Sequence, residues 1–284
     1  MATPISTSTT RTIDLPSGVS IAFAENGVND EGSGVLLLHG GAGPRTMAGL
    51  AAALSQHAYV VTPTHPGFEG TPRTDGTSSV ADLADAYLEL LDALGLTGVM
   101  VIGSSIGGWI ASEMATRDAK ARLGCVVLIN ATGVEVDGEE VTDVRGMAPA
   151  EISKLSFANP AFRPDFASLT DEQRTGLAAN QQAMAVYSGQ TLYYDPTLRD
   201  RLQGVTVPAL VLWGEQDGVA PAGYGRAYAA SFPHGRFVPV PDAGHFPQVE
   251  QLGLTMEAIG DFVDTVMKPG EALSEGSAEL GKDL

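Results

Sequence analysis

Four short segments of this sequence place a chemically active side chain beside glycine. The first is Gly103-Ser104-Ser105-Ile106-Gly107, in which only one frame satisfies G-x-S-x-G and puts Ser105 at its centre. Small flanking residues suit a sharp turn that holds a serine in a strained backbone conformation with its hydroxyl exposed. The second is His39-Gly40-Gly41-Ala42-Gly43. Glycines there permit close backbone approach to a ligand and leave amide hydrogens facing a cavity. A dinucleotide or phosphate loop is the alternative, but neither glycine-rich stretch completes G-x-G-x-x-G, and no G-K-[ST] occurs. The third and fourth are Trp213-Gly214-Glu215-Gln216-Asp217 and Ala243-Gly244-His245-Phe246. A lone Asp in a loop is ordinarily a turn former and a lone His incidental. The order Ser105, Asp217, His245 gives them joint meaning, because a serine, an acid and an imidazole together can perform nucleophilic catalysis.

The elements that must position these residues are legible as alternating strands and helices. Val35–Leu38 is a continuous apolar run, as in a strand buried on both faces. Further strands are predicted at Ala58–Thr62 (ending in Pro63), Val99–Ile102, Cys125–Ile129, Ala209–Trp213 and Arg236–Val240. A hairpin is predicted around Gly18, with Val19, Ile21 and Phe23 alternating behind it. Helical spacing predicts helices over Thr46–His57, 80–94 with Gly95 as its stop, 105–117, 221–231 and 248–267. Such alternation implies a mostly parallel sheet covered by helices on both faces. In sheets of that kind ligands bind beyond the carboxyl ends of the strands, where Ser105, Asp217 and His245 each fall. From about 132 to 203 the rhythm breaks into short helices and turns, which reads as an insertion. No internal repeat is visible, and 268–284 reads as a mobile acidic tail.

Composition narrows the function. The chain has 284 residues, 44% of them hydrophobic, with 34 acidic against 16 basic side chains and a formal net charge of −18. Such a surface repels phosphate backbones and anionic membranes. No apolar run approaches the ~20 residues of a membrane span, and the N-terminus lacks the apolar core of a secretory signal. One cysteine, Cys125, excludes an intramolecular disulfide and fits a reducing compartment. It is expected to be a small buried hydrophobe. No H-x-H or H-E-x-x-H pairing occurs, so no metal site is expected. The expectation is a soluble, cytoplasmic protein acting on a small molecule, with a homodimer left open.

With these segments in order and at these spacings, the chain between about 13 and 267 resembles the α/β-hydrolases with a serine nucleophile. The resemblance implies a mostly parallel eight-stranded sheet flanked by helices. Its core would span 1–131 and 204–267, with a helical cap inserted at 132–203 and 268–284 as the tail. It implies a cofactor-free enzyme in which Ser105 attacks an acyl carbonyl, His245 is the general base and Asp217 orients the imidazole. The oxyanion would be held by the backbone N–H groups of Ile106 and Gly41. Serine at 105 separates the chain from the family's epoxide hydrolases and haloalkane dehalogenases. One departure is Thr64-His65 before Pro66-Gly67, where related chains usually carry an Asp.

Alternatives remain at the level of residues and of reaction. Ser104 is a rival nucleophile, and Asp242 or Glu215 a rival acid. His57 and His234 read as surface residues. His65 is expected at the cavity mouth, as a substrate contact or as ordinary surface loop. Phe157, Tyr187 and Phe246 are further candidate substrate contacts, although aromatics of a small cap more often form its own core than line a pocket. The segment 132–203 holds 11 acidic and 6 basic side chains, a poor lure for polyanions. An uncharged, partly apolar ester or lactone is therefore the expected substrate. The same triad can cleave a carbon–carbon bond beside a ketone or run perhydrolysis, and a catalytically silent binding protein is the remaining alternative.

Overall fold

Apolar runs too short for helices and flanked by glycine form the centre of the structure, a computed structural model that describes residues 9–29, 32–189 and 193–267. The strands are β1 (Thr9–Asp14), β2 (Ser20–Asn26), β3 (Val35–Leu38), β4 (Val60–Thr64), β5 (Val99–Ser104), β6 (Leu123–Ile129), β7 (Ala209–Gly214) and β8 (Gly235–Val240). They form one sheet in the order β1-β2-β4-β3-β5-β6-β7-β8. β1 and β2 pair antiparallel, β2 joins β4 antiparallel, and every other pairing is parallel. Gly18, at φ 81°, turns the β1–β2 hairpin. Pro63 lies inside β4 and does not end it; β3 pairs with β4 only at Val60 and Val61, so the proline sits beyond that ladder.

Both faces of the sheet are covered. On one lie α2 (Val80–Leu94), α3 (Ile106–Arg117) and α7 (Ala222–Ala229), packed around Leu38, Val101, Leu128 and Trp213. On the other lie α1 (Ala48–Leu54) and α9 (Leu252–Met267), whose Leu50, Leu54, Ile259 and Phe262 pack on Leu37, Ile102, Val127 and Leu212. Alternate residues of each central strand thus enter opposite cores, as two-faced burial demands. α2 begins with Ser79 and Asp82 capping one another's backbone and ends at Gly95, φ 66°.

Two helices differ from expectation. The segment after the glycine loop opens with a 3₁₀ turn, Pro44–Met47, before α1. The last helix is divided into α8 (Pro247–Glu250) and α9 by Gln251, at φ −134° and ψ 54°. Between β6 and β7 the chain makes an excursion containing α4 (Pro149–Ser156), α5 (Asp171–Tyr187) and α6 (Leu198–Leu202), with no strand of the sheet among its described residues. At its far end, Arg201 of α6 grips the buried Glu113 of α3 through two hydrogen bonds of 2.8 and 2.6 Å. The segment 268–284, read as a mobile tail, lies outside the described residues. Among the described residues no helix is long and apolar enough to cross a membrane.

Candidate active site

Ser105 stands between β5 and α3 at φ 55° and ψ −121°, a region that L-residues with a β-carbon rarely occupy. The flanking glycines are sterically required. A β-carbon at Gly103 would lie 2.1 Å from the Gly107 carbonyl oxygen, and one at Gly107 would lie 2.3 Å from that of Leu38. The strain is held by the sheet: the Ser105 N–H donates to the Ile129 carbonyl (3.0 Å), and its carbonyl accepts from Thr132 (3.2 Å). Ser105 is half-buried, whereas its neighbour Ser104 is fully buried and bonds Gln248 at 3.3 Å. Ser104 thus faces away, toward α8.

Asp217 and His245 meet. The Nδ1–H of His245 donates to Asp217 Oδ2 at 2.8 Å, and the Asp217 side chain is completely buried. The same carboxylate accepts from the amides of Val219 (2.7 Å) and Ala220 (3.2 Å) through Oδ1. Oδ2 also accepts from Asn130 Nδ2 at 2.7 Å. The two loops run backbone to backbone, and a β-carbon on Gly214 would fall 1.9 Å from the Gly244 carbonyl oxygen. Glu215 is exposed, and Asp242, also exposed, lies at the turn after β8 with a left-handed φ of 53°. The acid at hydrogen-bond distance from His245 is Asp217.

Asn130 went unnoticed in the sequence. It ends β6 with φ 44°, is fully buried, and holds Asp217 while its Oδ1 accepts from the Gly214 N–H at 3.1 Å. The signal was present: a polar residue terminating a wholly apolar strand beside two catalytic-type strands.

The glycine loop lies against the serine. A β-carbon on Gly40 would approach Ser105 Cβ at 3.1 Å, and one on Gly41 would meet Met184 of α5 at 3.1 Å. Ile106 is the first residue of α3, so its N–H has no carbonyl one turn back to bond. Partial positive charge of the helix terminus adds to it.

His65 corrects the sequence reading: it is neither at a cavity mouth nor on the surface, but completely buried beneath the glycine loop. Its Nε2–H donates to the His39 carbonyl (2.8 Å), and the Tyr87 hydroxyl donates to its Nδ1 (2.5 Å). His39, also buried, donates Nδ1–H to the Gly40 carbonyl (2.7 Å) and accepts the His65 N–H on Nε2 (3.0 Å). Every ring nitrogen therefore has a partner in the neutral tautomer. Burial pushes His65 down to about 4, and burial with the adjacent imidazole pushes His39 well below its usual value. Together the two imidazoles prop up the loop that carries Gly40 and Gly41.

Of the two roles open to Tyr187, it takes the packing one. It is buried, donates to the Pro66 carbonyl at 2.9 Å and stacks on Phe68, so it anchors α5 to the His65 loop. Asn180, one face along α5, accepts from the Glu69 N–H (2.8 Å) and donates to its carboxylate (2.9 Å). Phe246 packs edge-on against His245, and Phe157 packs on Phe246 with ring centroids 5.1 Å apart. His57 and His234 are exposed, and Cys125 is a free, buried thiol raised to about 11 by burial. Among the described residues no group of three His, Cys, Asp or Glu side chains is arranged to hold a metal ion.

A parallel sheet whose strand ends carry a strained serine, a buried Asp–His pair and a glycine loop defines a hydrolase of the α/β class. The chain belongs to the alpha/beta hydrolase family, whose model matches residues 35–256. It is similar to a 2-hydroxy-6-oxononadienedioate/2-hydroxy-6-oxononatrienedioate hydrolase of Dechloromonas aromatica, at 30% identity over 83% of this chain and 89% of that one. It is also similar to the pimeloyl-[acyl-carrier protein] methyl ester esterase of Vibrio cholerae, at 25% identity over 83% and 96%. Among solved structures, a thermophilic esterase from Thermogutta terrifontis superposes with a TM-score of 0.72 at 25% identity, covering 91% of this chain and 99% of that one.

Proposed function

We propose that the protein is a cofactor-free serine esterase acting on a small to medium, uncharged carboxylic ester or lactone. The observation that carries this reading is the 2.8 Å pairing of His245 with the buried Asp217, taken with the strained backbone of Ser105 at the end of β5. Ser105 Oγ attacks the acyl carbon, and His245 Nε2 takes its proton and returns it to the leaving alcohol. Asp217 stays ionised, fixes the Nδ1–H tautomer and stabilises the imidazolium. The N–H groups of Ile106 and Gly41 hold the oxyanion, each donor contributing about 3 kcal/mol in the transition state. Water then attacks the acyl-enzyme by the same relay in reverse. The segment 132–203 acts as the cap over this site. The aromatic and thioether groups beside His245 and Gly41, namely Phe246, Phe157 and Met184, favour an uncharged acyl group.

A second reading is carbon–carbon hydrolysis of a vinylogous ketone, favoured by the 30% identical hydrolase. The apolar neighbours named above suit a neutral acyl chain better than the dioate that relative's name gives. A soluble, cytoplasmic setting accords with the acidic surface and the single, buried Cys125. Initial rates on p-nitrophenyl esters of increasing acyl length, beside rates on a vinylogous 1,5-diketone, test the choice. Ester turnover that disappears in Ser105→Ala supports the proposal; diketone turnover with negligible esterase activity overturns it.

A further inference from the structure

α8 ends in a buried carboxylate, Glu250, that serves three peptide groups at once. Its Oε2 accepts from the Gly244 N–H at 2.7 Å and the Ala158 N–H at 3.3 Å, and its Oε1 accepts from the Asn159 N–H at 2.8 Å. Gly244 precedes His245, while Ala158 and Asn159 follow α4 in the excursion. A buried charge is retained only where hydrogen bonds compensate it, and here all of these come from backbone donors of two separate segments.

The segment that Glu250 holds also touches both halves of the Asp–His pair. The His245 N–H donates to the Ser156 carbonyl at 2.7 Å, and the Gly218 N–H, next to Asp217, donates to the Leu155 carbonyl at 3.0 Å. Neither loop glycine tolerates a β-carbon: at Gly244 it would lie 2.4 Å from the Ser156 oxygen, and at Gly218 2.8 Å from the Leu155 oxygen. Phe157 then packs on Phe246, directly after His245. Residues 155–159 thus form a strap lying across the acid loop and the base loop.

We infer that Glu250 is a positioning residue: by tying this strap to Gly244 it fixes the height and tilt of the His245 imidazole. The inference rests on the reading of His245 as general base. A glutamine at 250 offers one acceptor oxygen and turns an NH₂ toward a peptide N–H, so at least one donor is orphaned and the loop shifts. A displacement of about 1 Å at a catalytic group costs on the order of 100-fold in rate.

The test is the rate and end point of Ser105 phosphonylation by a fluorophosphonate, followed by intact mass, with kcat and KM on an aryl ester. Glu250→Gln is expected to label to the same end point, one adduct per chain, about 100-fold more slowly, with kcat reduced and KM within about threefold. Damage to the fold alone would lower the labelled fraction and leave the rate of the folded fraction unchanged. A parental rate in Glu250→Gln overturns the proposal, whatever happens to its melting temperature. Should Glu250→Gln not fold, Gly244→Ala, which leaves Glu250 intact and pushes the strap off the loop, is expected to reproduce the slow labelling, and a parental rate there overturns it equally. Absence of any adduct on the parent protein would instead remove the serine-hydrolase reading and this inference with it.

Discussion

Acidification should weaken this fold through His65, and the size of the effect follows from its burial. In the folded chain the imidazole titrates near 4, against an ordinary value of 6.5. Between those values the unfolded chain binds a proton that the folded chain does not. The stabilisation is therefore complete above about pH 6.5 and is lost as the pH falls toward 4. The slope is about 1.4 kcal/mol per pH unit for one imidazole, or about 3 kcal/mol across the window. His39, depressed for the same reason and by the proximity of His65, adds to the loss in the same direction. The hydrogen bonds explain why protonation is resisted: a proton on His39 Nε2 would face the His65 N–H, a donor against a donor. Urea unfolding at pH 7.0, 6.0 and 5.0, read by the fluorescence of the buried Trp109 and Trp213, isolates the effect when His65→Gln is measured beside the parent. The many carboxylates titrate in both proteins and cancel. The parent should be more stable at pH 7, and the gap should close by about 1 kcal/mol between pH 6 and 5. A gap that stays constant would mean that His65 binds protons equally in both states, which would refute its burial as a neutral prop.

Three shorter predictions concern the site. Asn130→Ala removes a hydrogen bond to the Asp217 carboxylate and leaves the Gly214 N–H unpaired; kcat should fall about tenfold and stability by about 1–3 kcal/mol, measured by ester kinetics and urea titration. Met184→Ala vacates the space beside Gly41, so kcat/KM for branched or long acyl esters should rise relative to acetyl esters, and an unchanged ratio would remove Met184 from the acyl site. Ser105→Ala and His245→Ala should each reduce kcat on the order of 10⁴–10⁶-fold, with the double variant little worse, because groups in one relay are not additive.

How much of this was legible in the sequence differs by kind of feature. The central strands announce themselves because burial on both faces requires continuous apolar runs such as Val35–Leu38, and the glycine stop after Leu94 marks its helix end. The backbone at Ser105 was legible because its glycines have a steric reason that local sequence carries. What a side chain faces was not. His65 and Tyr187 sit in polar or helical contexts equally compatible with a pocket, and only the packing of α5 on the Pro66-Gly67 loop turns both inward. Asn130 and Glu250 act on residues 87 and 6 positions away, through bonds that no local period encodes. Pro63 argued for a strand end, and was overruled because the ladder to β3 had already finished.

The central claim is that Ser105 is an activated nucleophile. Intact mass after incubation with a fluorophosphonate, with Ser105→Ala alongside, tests it most directly. One adduct on the parent chain and none on the variant is the expected outcome. An unmodified parent that is well folded, or an adduct that persists in Ser105→Ala, would contradict it.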